Sequence, residues 1–449
     1  MGLARSRPRA APRDGEAVVV LRQAEALDFL IGQPAVSTTT VYEGDALFAA
    51  AFLRERVALV VKLNPWLGGR LFWSNSPSGE KPRKLHLAYD AAAVSAAAEA
   101  GDFFEFVALD EAKRLDAAYS AYQRGVSPAS TGTLAAALDP YVVPGGTLRG
   151  PQLVEAADPA PKLFRVSLHA LSGGRFMLVT SLSHILGDGA TFYALHCMLS
   201  QGVKPHAQPR ALTVERMDDA EIDDKTDALM GAPGAGMEWV TWFMSPGSLF
   251  RIVKLLLLGP KMRVGIQRVS SEWVAQQKAA EMAAAAAEGV AFVSTNDVIM
   301  AALARASQDA VVIMAVNLRG RVAGLGHDMA GNYENGIAFL REDADAAWKV
   351  RRSLSAERLH RLSDKPLPGF FESLSRRCGV SLVSNWATFY HDVALPGAVL
   401  LKHMPCPSDA IDSFPMCVYV IYAPREGEVE IVSAVRNARV TTAALLSEA

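Results

Sequence analysis

Two runs of alternating hydrophobicity, "LFRVSLHAL" (163–171) and "RFMLVTSLSH" (175–184), stand on either side of Ser172-Gly173-Gly174. A small-residue turn between two period-two runs specifies an antiparallel hairpin, because glycine readily adopts the backbone angles of a tight reversal. In the second run Phe176, Leu178, Thr180, Leu182 and His184 share one face by the two-residue period of a strand. The spacing therefore places a titratable ring at the end of an apolar strand, on its apolar side. Gly187, Asp188 and Gly189 then allow a tight exit into the helical segment "ATFYALHCMLS".

Strands and helices mix along the remaining chain. "EGDALFAAAFLRERVALVVKLNPWLGGRLFW" reads as a helix, a stop at Asn64-Pro65 and a strand, with Leu47, Ala51, Leu59 and Val60 as the apolar stripe. Residues 91–124 are alanine-rich and read as helical with a turn at Gly101-Asp102. Further on, "SEWVAQQKAAEMAAAAAEG" is a helix closed by Gly289, and "STNDVIMAALARASQ" opens with a cap cluster. "AVVIMAVNL" is a buried strand, and "YVIYAPREGEVEIVSAV" is a hairpin turning near Arg425-Glu426-Gly427. The fold class is α/β (α+β mixed) with two subdomains. The expected division is a disordered basic tail over 1–15, an N-terminal subdomain over 16–205, a crossover linker over 206–265 and a C-terminal subdomain over 266–449.

The formal net charge of -2 provides no global field to recruit nucleic acid. Cys197, Cys378, Cys406 and Cys417 lie far apart without a C-x-x-C pair, which favours a reducing, cytoplasmic setting over a disulfide framework. No run of 18 apolar residues suggests a membrane span. "EWVTWFMSPGSLFRIVKLLLLGPKMRVG" is the most apolar stretch, interrupted by Pro246, Gly247, Arg251 and Lys254. It fits a core or inter-domain helix, or an interfacial helix making weak membrane-surface contact. The N-terminus reads as a basic tail, although Gly2 and Ser6 also fit the M-G-x-x-x-S myristoylation pattern and the arginine-rich composition suits a transit peptide.

Most histidines, such as His206, His327 and His360, fall in polar segments and read as surface residues. His184 stands apart, since it ends an apolar strand and has Asp188 four residues on. That setting suits a neutral imidazole acting as general base. A Ser-His-Asp hydrolase would need a G-x-S-x-G elbow, which is missing, and no clustered ligand pattern points to a metal.

"SHILGDG" resembles the H-x-x-x-D-G motif of the coenzyme-A-dependent acyltransferase superfamily, which includes BAHD acyltransferases, condensation domains of peptide synthetases and wax ester synthases. Other segments follow in the family's order. "LNPWLGGRLF" is similar to the early P-x-x-x-G-R-L element, and "STNDVIMAALAR" to the helix opening the second half. "VNLRGR" and "GNYENG" are similar to the V-N/D-x-R-x-R and G-N elements, and "VSNWATFYHDVALPG" to the BAHD T-S-W segment. Ser183 replaces the first histidine of the double-histidine members, which together with Ser384-Asn385-Trp386 leans toward a BAHD-like enzyme. The BAHD D-F-G-W-G motif is missing.

The resemblance implies two chloramphenicol-acetyltransferase-like subdomains with an active-site channel between them. It implies an acyl-CoA-dependent O- or N-acyltransferase with no covalent acyl-enzyme and no permanently bound cofactor, acyl-CoA being the co-substrate. The acceptor would be a small molecule or a lipid, and the protein a monomer. His184 and Asp188 are the motif's catalytic positions: His184 is the base, and Asp188 pairs with Arg319, or failing that Arg321, to hold the turn. Gly187 and Gly189 support the motif, and Ser384, Asn385 and Trp386 position the acceptor or the oxyanion. Asn332 matches an element near the channel. The alternatives are a wax ester or diacylglycerol type of lipid acyltransferase, or an inactive binding protein of the same fold.

Overall fold

The structure, a computed structural model, describes residues 12–26, 34–73, 84–144, 162–231, 235–260, 262–307, 309–355, 359–373, 379–406 and 416–436. The first eleven residues of the expected tail, Gly2 and Ser6 among them, and Cys378 lie outside these. Residues 13–16 form a turn in which the Arg13 amide donates to Glu16.

The first half runs β1 (Ala17–Val20), β2 (Val36–Gly44), α1 (Ala46–Leu63), β3 (Arg70–Trp73), β4 (Leu85–Tyr89), α2 (Ala91–Ala100) and β5 (Phe104–Val107). It continues with α3 (Lys113–Arg124), α4 (Pro128–Leu138), β6 (Phe164–Leu171), β7 (Arg175–Leu182) and α5 (Gly189–Cys197). The stretch expected as a linker carries α6 (Asp219–Met230), α7 (Glu238–Phe243) and α8 (Pro246–Leu258). β8 (Arg263–Arg268) straddles its end, followed by α9 (Ser271–Ala287), α10 (Thr295–Ser307), β9 (Val311–Asn317), β10 (Glu334–Leu340) and α11 (Ala347–Ser353). The chain closes with α12 (Phe370–Ser373), β11 (Val380–Asn385), β12 (Ala398–Pro405), β13 (Cys417–Tyr422) and β14 (Glu430–Val435).

Local chemistry explains most boundaries. Asp45 caps α1 by accepting from the Leu47 and Phe48 amides, and Asn64 ends it. Ser294 and Asp297 cap each other's amides at the start of α10. Two expectations need correction. In α1 the buried face is Ala49, Ala50, Leu53, Val57, Val60 and Val61, while Leu47 and Leu59 are 68% and 44% exposed. The charged residues Arg54, Glu55 and Lys62 are exposed and lie away from the buried face, so the pattern does mark the outward side; the expected stripe ran along its apolar edge, while α1 packs over β5 and β6. Residues 91–124 are not all helical either. Gly101, at φ 90°, ends α2, and the four-residue β5 pairs in parallel with β6.

The sheet order is β12-β2-β7-β6-β5 in the first half and β10-β9-β11-β13-β14-β8 in the second, with a small β1-β4-β3 sheet beside them. β12 leaves the second half and pairs antiparallel with β2, covering an edge that would otherwise be open. β7 is covered on both sides. Phe176, Leu178 and Leu182 enter one core, and Met177 and Val179 enter another with Leu115, Tyr119 and Leu134. Cys197, Cys406 and Cys417 are free thiols, and among the described residues no helix is long and apolar enough to cross a membrane.

Three histidines sit in the core of the first half. His403 bonds Thr40 and Tyr193 at 2.8 and 3.0 Å, His196 bonds Thr180 at 3.2 Å, and His169 bonds Ser167 at 2.8 Å. Burial pushes His169 and His196 down to about 3 from an ordinary 6.5, and His403 well below that value. The unfolded chain takes up these protons near the ordinary value, whereas the folded chain resists them, so stability falls as pH drops through that interval. The melting temperature should therefore decline steadily between about pH 6 and pH 4. A flat melting profile across that range would contradict the neutral buried rings.

Candidate active site

β7 ends at Leu182, two residues before the ring that the alternating pattern carries to the strand's end. The Ser183 amide donates to the Leu163 carbonyl at 2.8 Å and the Leu186 amide to Ser183 at 3.0 Å, so half-buried His184 sits in a turn. The hairpin anchors this turn on one side. On the other, Asp188 caps α5 by accepting from the Thr191 amide at 3.0 Å. Gly187 is required by space and not by backbone angle: a Cβ there would lie 2.5 Å from the Thr191 methyl. Gly189 faces Trp386, whose indole edge would stand 3.4 Å from an added Cβ.

A bond across the two halves orients the His184 ring. Asn332 Nδ2 donates to the His184 and Ile185 carbonyls at 2.7 and 3.2 Å, which turns its Oδ1 toward His184 Nδ1 at 3.1 Å. An amide oxygen only accepts, so in the neutral ring Nδ1 carries the proton and Nε2 the lone pair. Asn332 is itself held from behind. Fully buried Glu25 accepts from the Asn332 backbone amide at 2.9 Å and from Nδ2 at 3.3 Å, and pairs with Arg216 at 2.9 Å. Arg22 closes the cluster by donating to the Asn332 carbonyl at 2.8 Å. Sequence reasoning missed Glu25 and Arg216 entirely, since neither belongs to a motif.

Asp188 does not touch the imidazole. Its Oδ2 accepts from Arg319 at 2.7 Å and from the Tyr333 amide at 2.9 Å, while Oδ1 is taken by Thr191. Burial pushes the carboxyl up, but the Arg319 charge and these hydrogen bonds outweigh it and hold Asp188 below its ordinary value. Arg319 also donates to Thr191 Oγ1, the Gly331 carbonyl and the Met329 carbonyl. Arg321 instead reaches the Leu354 carbonyl at 3.3 Å. Tyr333 lies beneath both Arg319 and Arg22, whose guanidinium carbons are 5.1 and 5.4 Å from its ring centre.

Of the three side chains at the end of β11, two already have a donor engaged. Trp386 Nε1 donates to Ser384 Oγ at 3.1 Å, and Asn385 Nδ2 to Asn296 at 2.7 Å. Ser384 accepts from Trp386, which leaves its hydroxyl hydrogen free to point elsewhere. Glu334, which follows the Asn332-Tyr333 pair, is a further residue the motifs did not single out. Its side chain is exposed. Burial and the charge of Asp188 push its carboxyl up, against the opposing pull of His184 and Arg319.

One group of metal-ligand type occurs among the described residues: His206, His391 and Glu426, with ligand atoms within 4.8 Å of one another. The two rings are stacked at 3.8 Å and nearly parallel, so one ion cannot lie in both ring planes, and Lys204 stands 4.0 Å from Glu426.

No family model matches the chain, and no curated protein matches it. Solved structures do. TRI101 of F. sporotrichioides, complexed with coenzyme A and T-2, is 13% identical with a TM-score of 0.61, over 96% of this chain and 97% of that one. Polyketide synthase associated protein 5 of Mycobacterium tuberculosis is 14% identical, with a TM-score of 0.51 over 96% and 95%. The first condensation domain of the calcium-dependent antibiotic synthetase, in complex with substrate analogue 3a, is 16% identical, with a TM-score of 0.55 over 97% and 94%. At these identities the likeness speaks for the fold, which is the mixed α/β, two-domain, chloramphenicol-acetyltransferase-like one.

Proposed function

We propose that this chain is an acyl-CoA-dependent acyltransferase in which His184 is the general base. The carrying observation is the division of labour at the motif: Asn332 holds His184 Nδ1 while Arg319 engages Asp188, leaving Nε2 as an oriented base. Support for coenzyme A comes from a neighbour of the same fold complexed with it. Nε2 takes the proton of an acceptor hydroxyl or amine as its oxygen or nitrogen bonds the thioester carbon. The tetrahedral oxyanion then collapses, the carbon–sulfur bond breaks, and the imidazolium returns the proton to the leaving thiolate. Both substrates meet at one base, so no acyl-enzyme is needed. As the imidazole becomes charged, Asn332 and the Glu25 carboxylate behind it stabilise it in place.

Ser384 supplies the oxyanion donor, with Trp386 orienting its hydroxyl. Ser384→Ala should lower kcat by about 10²-fold with little change in acceptor KM. An equal rise in KM with kcat untouched would move Ser384 to acceptor binding. The division into two subdomains joined through 206–265, a cytoplasmic setting, a monomeric state and an acceptor that is a small molecule or a lipid belong to the same reading. Thiol release, followed with mass detection over a panel of acyl-CoAs and acceptors, tests the whole. Acceptor-dependent release with one acylated product per thiol is expected. Acyl-CoA binding without turnover of any pair would identify a binding protein of the same fold.

A further inference from the structure

Among the described residues, α8 carries a run of exposed apolar side chains far from the motif in sequence. Its exposed side carries Leu249, Phe250, Val253, Leu256, Leu257 and Leu258, the last two 76% and 80% exposed. Its buried residues are Gly247, Ser248 and Arg251, with Ile252 and Leu255 half-buried. The amphipathic pattern is thus largely reversed from that of an ordinary surface helix, which keeps its apolar stripe inward. Burial pushes the Asp309 carboxyl up to about 6, with the Ser381 hydroxyl and the charge of Arg251 pulling the other way, so Arg251 faces this buried acid. The patch extends sideways onto α12, where Phe370 and Phe371 are 50% and 84% exposed; Gly247 lets Phe370 approach so closely that a Cβ would lie 2.9 Å from its Cα.

Charge says what should cover it. From Trp239 to Ser271 the chain carries Arg251, Lys254, Lys261, Arg263 and Arg268 and no Asp or Glu. Lys254 is exposed on α8 itself, beside the apolar arc, and Arg263 is exposed just beyond it. Apolar and aromatic side chains flanked by the exposed cations Lys254 and Arg263 match a bilayer interface, where the former enter the acyl boundary and the latter meet anionic headgroups. Exposed apolar patches of this kind are uncommon on proteins that remain free in water.

We propose that α8, with the adjoining α12, is a docking face for an anionic lipid surface. This inference stands apart from the catalytic reading, and either can fail without the other. Co-flotation of the full chain with phosphatidylcholine vesicles, with and without phosphatidylserine, tests it. Binding is expected on the anionic vesicles and should weaken with added salt. Phe250→Glu with Leu257→Glu should lower the bound fraction by at least about tenfold, because two buried apolar side chains are lost from the contact. Leu255 is half-buried and is left unchanged; Phe371→Glu, at a separate exposed position, should act in the same direction. Because each variant keeps the basic N-terminal segment, the comparison reads the helix alone, and an unchanged melting curve shows that folding is intact. Equal flotation of parent and variants, or none by the parent, overturns the proposal. So does a parental dimer that the Phe250→Glu, Leu257→Glu variant dissolves, which would make the patch a subunit interface.

Discussion

His184→Ala should lower kcat by at least about 10²-fold while the melting curve stays where it is. The ring is half-buried and makes one side-chain hydrogen bond, to Asn332, so its removal leaves little packing behind. The turn that carries it remains tied by Ser183, Asp188 and Asn332, whose bonds to the His184 and Ile185 carbonyls do not involve the imidazole. Acyl-CoA binding should survive, since the thioester is held mainly by its long arm. Asn332→Ala should reproduce part of the loss, through ring orientation and through the two turn carbonyls it holds. Its signature is a lowered kcat with unchanged acyl-CoA affinity, because it is a positioning residue. A His184→Ala protein turning over at the parental rate would remove the proposed mechanism.

Asp188→Ala and Arg319→Ala should each cost about 3–5 kcal/mol of stability, because either change strands a buried charge. Both groups are almost entirely enclosed, and the pair is supported by the Thr191 and Tyr333 amides. The double variant should be less damaged than the sum of the two single changes, since it leaves no unpaired ion. The pH sign follows from the depressed Asp188 carboxyl: its contribution is complete above the ordinary aspartate value and is lost as pH falls through the lower folded value. Chemical denaturation of the four proteins measures this directly. If Asp188→Ala melts like the parent and yet loses kcat, Asp188 belongs to the chemistry and not to the support of the turn.

Where the chain has strong local codes, it was legible. The β6–β7 hairpin, the helix ending at Asn64, the end of α9 at Gly289, the capped start of α10, and the Arg425–Gly427 turn all rest on contacts within a few residues. β5 was missed because four residues give too short a period, and the face of α1 because apolar residues such as Leu47 and Leu59 continue onto its exposed side. In the site, the histidine, the aspartate and the glycines stood out by motif. Their bonding did not. The donors on Asn385 and Trp386 could be listed from the sequence, but not that Asn296 and Ser384 would engage them.

What the sequence by itself determined is the local frame: a strand, a glycine-bounded turn holding one imidazole and one carboxylate, and a capped helix after it. Backbone geometry and side-chain periodicity act over neighbours and need no tertiary fold to be read. Only the tertiary structure decided that His184 leans on Asn332, 148 residues away, with Glu25 from the start of the chain behind it. It also decided that β12 completes the first sheet and that α8 turns its leucines outward. Such choices depend on which desolvated donors and acceptors meet after the halves pack, and a buried polar group must take whichever partner the packing brings.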